Sequence, residues 1–379
     1  MRIDADWLHR AGTQAVLGML GRAGHRALVV GGCVRNAVMG LPGGDVDIAT
    51  DARPETVMRL AEAAGFRAVP TGIEHGTVTV VVEGAPYEVT TFRRDVETDG
   101  RRAVVAFSDR IEDDARRRDF TMNALYVAAD GALVDPLSGV GDARARRVRF
   151  IEDPAQRIAE DHLRILRFFR FLAWYGDPAQ GPDPEGLAAC AEGIEGLDRL
   201  SRERVGAELK KLLAAPDPAP AVASLAAIGG LARVLPGADA RALAPLVHLE
   251  RLHGVAPDPL RRLAVLGGES ADLRLSKAET RRLKDIRAAL AAGEGAAALG
   301  YRHGAETAVD ALLIGAASLG QPLDPASLDA AREGARQRFP VSAADLPHLA
   351  GPELGRKLRE LETRWVDSGF TLGRDQLIG

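Results

Sequence analysis

Two aspartates near the start of the chain, Asp45 and Asp47, have the spacing of a metal-binding pair. They lie in the run DVDIAT, which alternates like a β-strand, and side chains at positions i and i+2 of a strand project from the same face. Two neighbouring carboxylates repel each other unless a cation lies between them, and hard oxygen ligands suit Mg²⁺. The pair therefore predicts a Mg²⁺ site with Asp45 and Asp47 as metal ligands.

A glycine-rich turn precedes the aspartates. The run LVVGGCVRNAVMG indicates an apolar strand, a turn at Gly31 and Gly32, and a short helix over Val34–Met39. Because glycine has no Cβ, the backbone can turn sharply there and bring its N–H groups close to a ligand. A helix N-terminus with Arg35 in its first turn favours a phosphate. A triphosphate cradle beside a carboxylate pair is what metal-assisted nucleotidyl transfer needs.

A second polar group, Arg118, Asp119 and Asn123, lies in the run RRDFTMNAL. Arginine can bind a phosphate with two N–H groups, and a carboxylate with an amide can bind a ribose hydroxyl. These residues alone leave open a solvated helix end with an N-cap. Glu88, in YEVTTFR, shares a strand face with Thr90 by alternation, so either a partly exposed strand glutamate or a site residue fits its position.

The third stretch is DPAQRIAEDHLRILRFFRFLAWY, Asp153–Tyr175, which predicts one helix beginning at Asp153 and Pro154. Apolar residues recur at helical spacing and are expected to face inward: Leu163, Leu166, Phe169 and Leu172. Polar residues follow one flank at steps of three, so that Asp161 and Arg164 can pair: Asp161, Arg164, Arg167 and Arg170.

Two interpretations of this polar flank stay open on the residues alone. One is a salt-bridged surface helix. The other is chemical: an aspartate accepts from the exocyclic amine of a base while an arginine donates to a ring nitrogen or carbonyl. Cytosine and adenine both offer an amine at that edge, and uracil does not.

Taken together, these stretches resemble the class II tRNA nucleotidyltransferases, which are the CCA-adding enzymes, and the related bacterial poly(A) polymerases. GGCVRNAVMG followed by DVDIAT is similar to the first motif of that family, RRDFTMNAL to the second, and LVDPLSGVGD to the third, a hinge. EDHLRILRFFR is similar to the fourth, the protein template, and LSRERVGAELKKLL to the fifth, which braces it. The specific resemblance covers about Leu28–Leu213.

The resemblance implies a role for each site residue. Gly32 and Arg35 would contact the triphosphate, and Glu88 would be the third active-site carboxylate, helping to deprotonate the attacking hydroxyl. The remaining assignments are Asp45 and Asp47 to the metals, Arg118 to the nucleotide, Asp119 and Asn123 to the ribose, Asp161 and Arg164 to the base of incoming CTP or ATP, and Arg167 and Arg170 to the triphosphate. The family usually has aspartate where this chain has Asn36, so a charged orienting role is not expected at that position.

The resemblance implies that these groups are positioned by an α/β nucleotidyltransferase head, a mixed sheet with flanking helices, which is followed by all-α neck, body and tail domains. The predicted bounds are 1–145 for the head, 146–215 for the neck with the template, 216–275 for the body, and 276–379 for the tRNA-binding tail. Strands are expected at Phe66–Pro70, Thr77–Val82 and Ala85–Phe92, with a hairpin turn at Glu83 and Gly84. Asp95–Phe107 is expected to be a mobile loop, whose length in the family favours complete CCA addition.

Net charge, cysteine count and the lack of a long apolar run exclude further classes of protein. The 379 residues carry a net charge of −4, so the protein does not coat nucleic acid by bulk charge. Arg261-Arg262 and Arg281-Arg282 could contact the tRNA, but a solvated face is the favoured expectation for each pair. Two cysteines give neither a disulfide framework nor zinc spacing, and Cys33 is expected to fill space. No secretory leader or apolar span is visible, so a cytoplasmic protein without membrane contact is expected.

The expected partners are tRNA, CTP and ATP, with Mg²⁺ as cofactor and no obligate protein partner. The expected reaction is untemplated addition of the 3′-terminal CCA to tRNA. Three alternatives stay open: a bacterial poly(A) polymerase, an enzyme that adds only the cytidines or only the adenosine, and a non-catalytic RNA-binding relative. The acidic balance disfavours the first, and the three carboxylates disfavour the last.

Overall fold

The computed structural model describes residues 1–99 and 102–379. The chain divides into two compact units, Met1–Val234 and Leu235–Gly379. The division into head, neck, body and tail is finer than this, and its inner boundaries stay predictions.

The first unit contains a seven-stranded mixed sheet with strand order β3-β4-β5-β2-β1-β8-β9. Only β2 and β5 pair in parallel, and the other neighbours are antiparallel. The predicted mixed sheet with flanking helices is confirmed. The described strands are β1 (Ala27–Val30), β2 (Asp47–Thr50), β3 (Arg67–Gly72), β4 (Thr77–Val82), β5 (Ala85–Thr91), β6 (Arg93–Asp99), β7 (Arg102–Phe107), β8 (Tyr126–Ala128) and β9 (Leu133–Val134).

The β4–β5 hairpin is the one that the sequence predicts. Val78, Val80 and Val82 alternate into the core, and the turn residues Glu83 and Gly84 both have positive φ, 50° and 83°. Positive φ at both central residues gives a tight turn whose twist matches the strands. The turn is therefore confirmed.

The prediction of a loop over Asp95–Phe107 is wrong for most of this stretch. Strands β6 and β7 pair there as a separate two-stranded antiparallel sheet. The pairing runs from Arg93 opposite Phe107 to Asp99 opposite Arg102. The second strand, RAVVAF, has the β-branched and aromatic residues that favour strands. The part of the predicted mobile loop at Gly100 lies outside the described residues.

Helices flank the sheet and continue to the end of the first unit. The predicted helix over Asp153–Tyr175 is divided at Asp161, whose backbone is extended with φ −155° and ψ 103°. The helices are α1 (Asp6–His9), α2 (Ala11–Arg22), α3 (Gly32–Met39), α4 (Pro54–Ala63), α5 (Ile111–Arg116), α6 (Gly139–Arg144), α7 (Pro154–Glu160), α8 (Leu163–Tyr175), α9 (Pro184–Glu192), α10 (Arg202–Leu213), α11 (Ala219–Ala227) and α12 (Gly230–Val234).

Helix α8 is held by an aromatic cluster. The ring centroids of Phe120 lie 5.0 Å from Phe150 and 4.8 Å from Phe171, and Phe150 stacks on Phe168 at 5.3 Å. Phe168 and Phe171 belong to α8, whereas Phe120 directly follows Asp119. Buried aromatic pairs of this kind add to the hydrophobic stabilisation. They fix α8 against the segment that contains the second polar group.

The second unit is all helical except for an isolated bridge. A buried ion network ties α14 to its neighbours: Arg261 donates to Asp310 at 2.6 Å and to Glu250 at 2.7 Å, and Arg262 donates to Glu250 at 2.7 Å. The prediction of a solvated face is therefore wrong for this arginine pair. Its helices are α13 (Leu243–Leu252), α14 (Pro259–Leu266), α15 (Lys277–Ala292), α16 (Ala296–His303), α17 (Ala305–Leu319), α18 (Pro325–Gly334), α19 (Gly351–Asp367) and α20 (Arg374–Ile378).

The two members of the second arginine pair, Arg281 and Arg282, differ in exposure and in contacts. Arg281 is largely exposed, as predicted, whereas Arg282 donates to Asp258 at 2.8 Å and to Asp310 at 3.0 Å. Across the described parts of both units, no helix combines the length and the apolar character that crossing a membrane requires.

Candidate active site

The parallel pair of strands brings two of the predicted carboxylates together. Asp47 begins β2, and its Cα partners are Val30 on β1 and Glu88 on β5. Asp45 lies just before β2 and is exposed, so it is not in the strand as predicted. The pKa of Asp47 is raised to about 6, first by burial and then by the charges of Glu88 and Asp45, while the Arg118 guanidinium opposes the rise. All four groups therefore act on one small region.

This region suits a divalent cation. The carboxylate of Asp47 is destabilised by two like charges and by loss of water, and a cation relieves both penalties. Within the described residues, no group of three or more His, Cys, Asp or Glu side chains is arranged to hold a metal ion. A cation bound by Asp45 and Asp47 therefore needs further oxygen ligands from a nucleotide or from water.

The glycine turn leads from β1 into α3. Gly31 has φ 83° and ψ −129°, a conformation that only glycine adopts readily. A Cβ at Gly31 would lie 3.7 Å from Nη1 of Arg118, so the turn passes close to that guanidinium. The neighbouring Cys33 is fully buried, and burial raises its pKa to about 11. The prediction that Cys33 fills space is confirmed.

Arg35 lies inside the site. Its Nη1 donates to Oδ1 of Asn123 at 2.6 Å and its Nη2 to Oδ1 of Asn36 at 2.9 Å, and its guanidinium carbon lies 3.7 Å from the ring centroid of Tyr175. Its Nε also donates to Asn36. Burial lowers the pKa of Arg35, and in the described part of the chain no carboxylate forms an ion pair with it. With three of five N–H donors used, Arg35 is a buried cation that can still bind an anion.

Asn36 orients Arg35 without a charge. While its Oδ1 accepts from Arg35, its Nδ2 donates to the carbonyl of Pro42 at 2.7 Å. Pro42 belongs to the loop that leads to Asp45. Asn36 therefore fixes the Arg35 guanidinium against the loop before Asp45 through its neutral amide.

Arg118 is held by two residues that the sequence analysis did not select. Asp114 is buried and accepts from Nη2 of Arg118 at 3.0 Å, from Nε of Arg117 at 2.7 Å, and from the Tyr126 hydroxyl at 2.8 Å. Burial alone would raise the pKa of Asp114, but the Arg118 and Arg117 guanidinium groups hold it well below its usual range. The spacing of Asp114 three and four residues before these arginines was the available signal.

Asp119 and Asn123 face into the protein and contact each other. Oδ1 of Asp119 accepts from Nδ2 of Asn123 at 3.1 Å, and Oδ2 accepts from Nε of Arg167 at 2.7 Å. Burial opposes ionisation, yet the Arg167 guanidinium holds the pKa of Asp119 below its usual value. A continuous polar chain thus runs from Arg35 on α3 through Asn123 and Asp119 to Arg167 on α8.

The predicted pair of Asp161 and Arg164 does not form. Oδ2 of Asp161 accepts from Nη2 of Arg204 at 2.6 Å, whereas Nη1 of Arg164 donates to Glu160 at 2.6 Å. The cause is the break between α7 and α8, because the three-residue spacing brings side chains together only within one continuous helix. The two side chains remain neighbours in the chain, but each has its own counter-ion.

Helix α10 braces α8 from the side, as the sequence predicts. Besides the contact of Arg204 with Asp161, the buried Glu208 accepts from Nε of Arg170 at 2.6 Å. Arg170 also lies over the Phe171 ring, with its guanidinium carbon 4.8 Å from the centroid. The four predicted residues of the template flank are therefore all held by protein contacts.

A glycine turn, facing carboxylates on a mixed sheet and a helix rich in arginine are the features of a nucleotidyltransferase. Residues 27–149 match the poly A polymerase head domain, and residues 182–241 match the probable RNA and SrmB-binding site of polymerase A. The mitochondrial CCA tRNA nucleotidyltransferase 1 of Mus musculus is 31% identical over 393 residues, which cover 98% of this chain and 90% of that protein. The chain belongs to the CCA-adding tRNA nucleotidyltransferase family.

Other relatives agree with this assignment. The corresponding protein of Danio rerio is 36% identical over 377 residues, covering 92% of this chain and 85% of its own. The crystal structure of the Bacillus stearothermophilus CCA-adding enzyme in complex with CTP matches with a TM-score of 0.74 at 30% identity, over 94% of this chain and 92% of that one. The Thermotoga maritima CCA-adding enzyme complexed with tRNA has the same fold, with a TM-score of 0.70 at 17% identity over 100% and 98% of the two chains.

Proposed function

We propose that this chain adds the 3′-terminal CCA to tRNA, using CTP and ATP and no nucleic-acid template. The observation that carries the proposal is the pairing of Asp47 with Glu88 beside the Gly31 turn and Arg118. In the reaction, the 3′-hydroxyl of the tRNA attacks the α-phosphorus of the nucleotide. A new O–P bond forms, the bond to pyrophosphate breaks, and the hydroxyl proton leaves.

We assign the carboxylates as follows. Asp45 and Asp47 would hold Mg²⁺, which when bound lowers the pKa of the attacking hydroxyl and neutralises the leaving pyrophosphate. Glu88 is exposed beside Asp47, so it can accept the proton of an incoming hydroxyl. Its place on the neighbouring strand, rather than in a loop, holds it at a constant distance from the metal ligands.

The triphosphate would lie between the Gly31 turn and the arginines. Arg35 is a buried cation with N–H donors to spare, and Arg118 is aligned by Asp114 and Tyr126. Both therefore bind an anion without having to be ordered first, which saves the entropy of fixing a long side chain. Gly32 contributes the backbone at the start of α3.

The base would be read by Asp161 and Arg164, with Arg167 and Arg170 behind them. The contacts with Arg204 and the Leu163 amide use only part of the accepting capacity of Asp161, because an ionised carboxylate has about four lone-pair sites. A cytosine or adenine amine can therefore add to it, whereas the uracil carbonyl would face a like dipole. Asp119 and Asn123 would position the ribose through the chain that joins α3 to α8.

The test gives the purified protein, with Mg²⁺, a tRNA that lacks its last three nucleotides. CTP alone should add two residues, ATP alone none, and the two together three, as measured by the size of the product. A long adenosine tail would instead identify a poly(A) polymerase, and arrest after two residues with both nucleotides present an enzyme that adds only the cytidines. Binding without any extension would identify a non-catalytic relative.

Two further assignments belong to this proposal. We place the protein in the cytoplasm, although two of its relatives are named as mitochondrial; imaging a tagged full-length chain in its own cells tests this. We also propose tRNA contacts for the C-terminal helices of residues 276–379, which can be tested by crosslinking to a tRNA with photoreactive bases.

A further inference from the structure

A pocket of about 370 Å³ lies in the first unit, where β2 has ended and the β6–β7 hairpin begins. Two exposed arginines line it, Arg53 before α4 and Arg94 on β6. Phe107, the last residue of β7, also lines it, and the guanidinium carbon of Arg53 lies 5.8 Å from its ring centroid. None of these residues belongs to the site described above.

Three arginines and three aspartates line the pocket, so its formal charges sum to zero, but the arginines differ in their partners. Among the residues that the structure describes, neither Arg53 nor Arg94 has a carboxylate partner. Two of the lining carboxylates are already engaged, Asp51 by His25 at 2.9 Å and Asp113 by the Ser108 hydroxyl at 2.7 Å. For the third, Asp109, the described residues provide no such contact.

A third arginine of the pocket, Arg110, approaches Glu112 at 3.7 Å. Within the described residues, Arg53 and Arg94 are thus the arginines of the pocket whose N–H donors remain available to a ligand. They share the pocket with the aromatic ring of Phe107.

We propose that this pocket binds one nucleotide of the RNA substrate, with its phosphate on Arg53 and Arg94. Guanidinium groups are the preferred phosphate donors in proteins, and a partly exposed aromatic ring offers a face on which any base can stack. Asp109 is then an acceptor for a ribose hydroxyl, which distinguishes RNA from DNA.

The position of the pocket fits an RNA whose 3′ end lies at the carboxylates. Asp51 directly follows β2 and Asp47 begins it, so four residues of extended chain separate them by about 13 Å. One RNA molecule can therefore reach both places. The identity of the RNA as tRNA rests on the proposed function.

The experiment measures binding of fluorescently labelled tRNA without its CCA end, by anisotropy at several salt concentrations and without nucleotides. Arg94→Gln and Arg53→Gln should each raise the Kd about tenfold and lower the steepness of log K against log salt by about 1. Arg94→Lys should keep the slope. Phe107→Leu should raise the Kd and leave the slope unchanged, because stacking releases no counterion.

Arg59→Gln is the matched control, since it removes the same charge from an exposed position of α4 that does not line the pocket. The proposal is overturned if Arg94→Gln behaves like this control. It is also overturned if the variants raise the KM for CTP or ATP and leave the tRNA Kd unchanged, which would mean a site for free nucleotide. Because the binding assay needs no catalysis, a protein that fails to extend tRNA can still confirm the pocket.

Discussion

Replacing Asp114 with asparagine should destabilise the first unit and disturb nucleotide binding together. The carboxylate is 1% exposed and is the counter-ion of both Arg117 and Arg118. Asparagine keeps the shape and loses the charge, which leaves two largely buried guanidinium groups without compensation. Removal of one partner from a buried ion pair costs about 3–5 kcal/mol, and because asparagine retains hydrogen-bonding atoms we expect about 3 kcal/mol.

That loss can be measured by thermal unfolding. For a unit of the size of Met1–Val234, about 3 kcal/mol corresponds to a fall in Tm of about 6–12 °C. Asp113→Asn is the matched control, since Asp113 is 23% exposed and its nearest arginine nitrogen is 3.9 Å away; its effect should stay below about 1 kcal/mol. With Arg118 no longer aligned, the KM for CTP should rise in Asp114→Asn alone.

The pH dependence of the difference in Tm between the wild type and Asp114→Asn is a sharper test. The pKa of Asp114 is depressed in the folded protein, so its stabilisation is complete above the ordinary carboxyl pKa and is lost as the pH falls through the folded value. The difference in Tm between the wild type and Asp114→Asn should therefore be full at pH 7 and shrink below about pH 4. Equal Tm values at pH 7, or a difference that grows on acidification, would refute this reasoning.

Three other substitutions probe the site. Asp47→Asn should lower nucleotide incorporation by about a thousandfold or more, because a metal clamp supplies several kcal/mol; pyrophosphate release within tenfold of the wild type would remove the metal assignment. Asp161→Ala should keep the chemistry and reduce the preference for CTP over UTP by about 10- to 100-fold, and unchanged selectivity in single-nucleotide competition would discard the template assignment. Tyr175→Leu should raise the KM for CTP by about 5- to 30-fold through loss of the ring over Arg35, while Tyr175→Phe keeps the ring and should behave like the wild type; a similar effect of both would mean that the hydroxyl, not the ring, matters.

The arginines of this chain illustrate why position matters more than type. Near the glycine turn, Arg35 is buried and Arg118 is half-buried, and among the residues that the structure describes a carboxylate counter-ion is found for Arg118 alone of the two. Arg261 and Arg262, in contrast, are neutralised within the second unit and contribute to its packing. An arginine that is aligned and has N–H donors left can bind an anion, whereas Arg261 and Arg262 donate to buried carboxylates.

Much of the site could be predicted because it depends on local chemistry. The Gly31 turn needs only the steric freedom of glycine, and the strand that begins at Asp47 needs only the alternation of its residues, although Asp45 lies just before that strand. The β4–β5 hairpin likewise follows from its alternation and its Glu83-Gly84 turn. Each of these features is decided within a few residues, so the sequence contains the whole argument.

The partners of the charged side chains could not be predicted in the same way. The preference of Asp161 for Arg204, and of Arg164 for Glu160, depends on a helix break that places Asp161 beside α10. Asp114 is fixed as the partner of Arg118 because the hydroxyl of Tyr126, on β8, donates to the same carboxylate. An ion pair is formed by whichever opposite charge lies within a few ångströms.

The sequence by itself determined the chemical groups, their order, the strand alternation and the resemblance to a family. Only the tertiary structure decided that Asp47 faces Glu88, that no carboxylate in the described part of the chain pairs with Arg35, and that a polar chain joins α3 to α8. The reason is that electrostatic and hydrogen-bond energies fall off over a few ångströms, whereas these residues are separated by tens of positions along the chain.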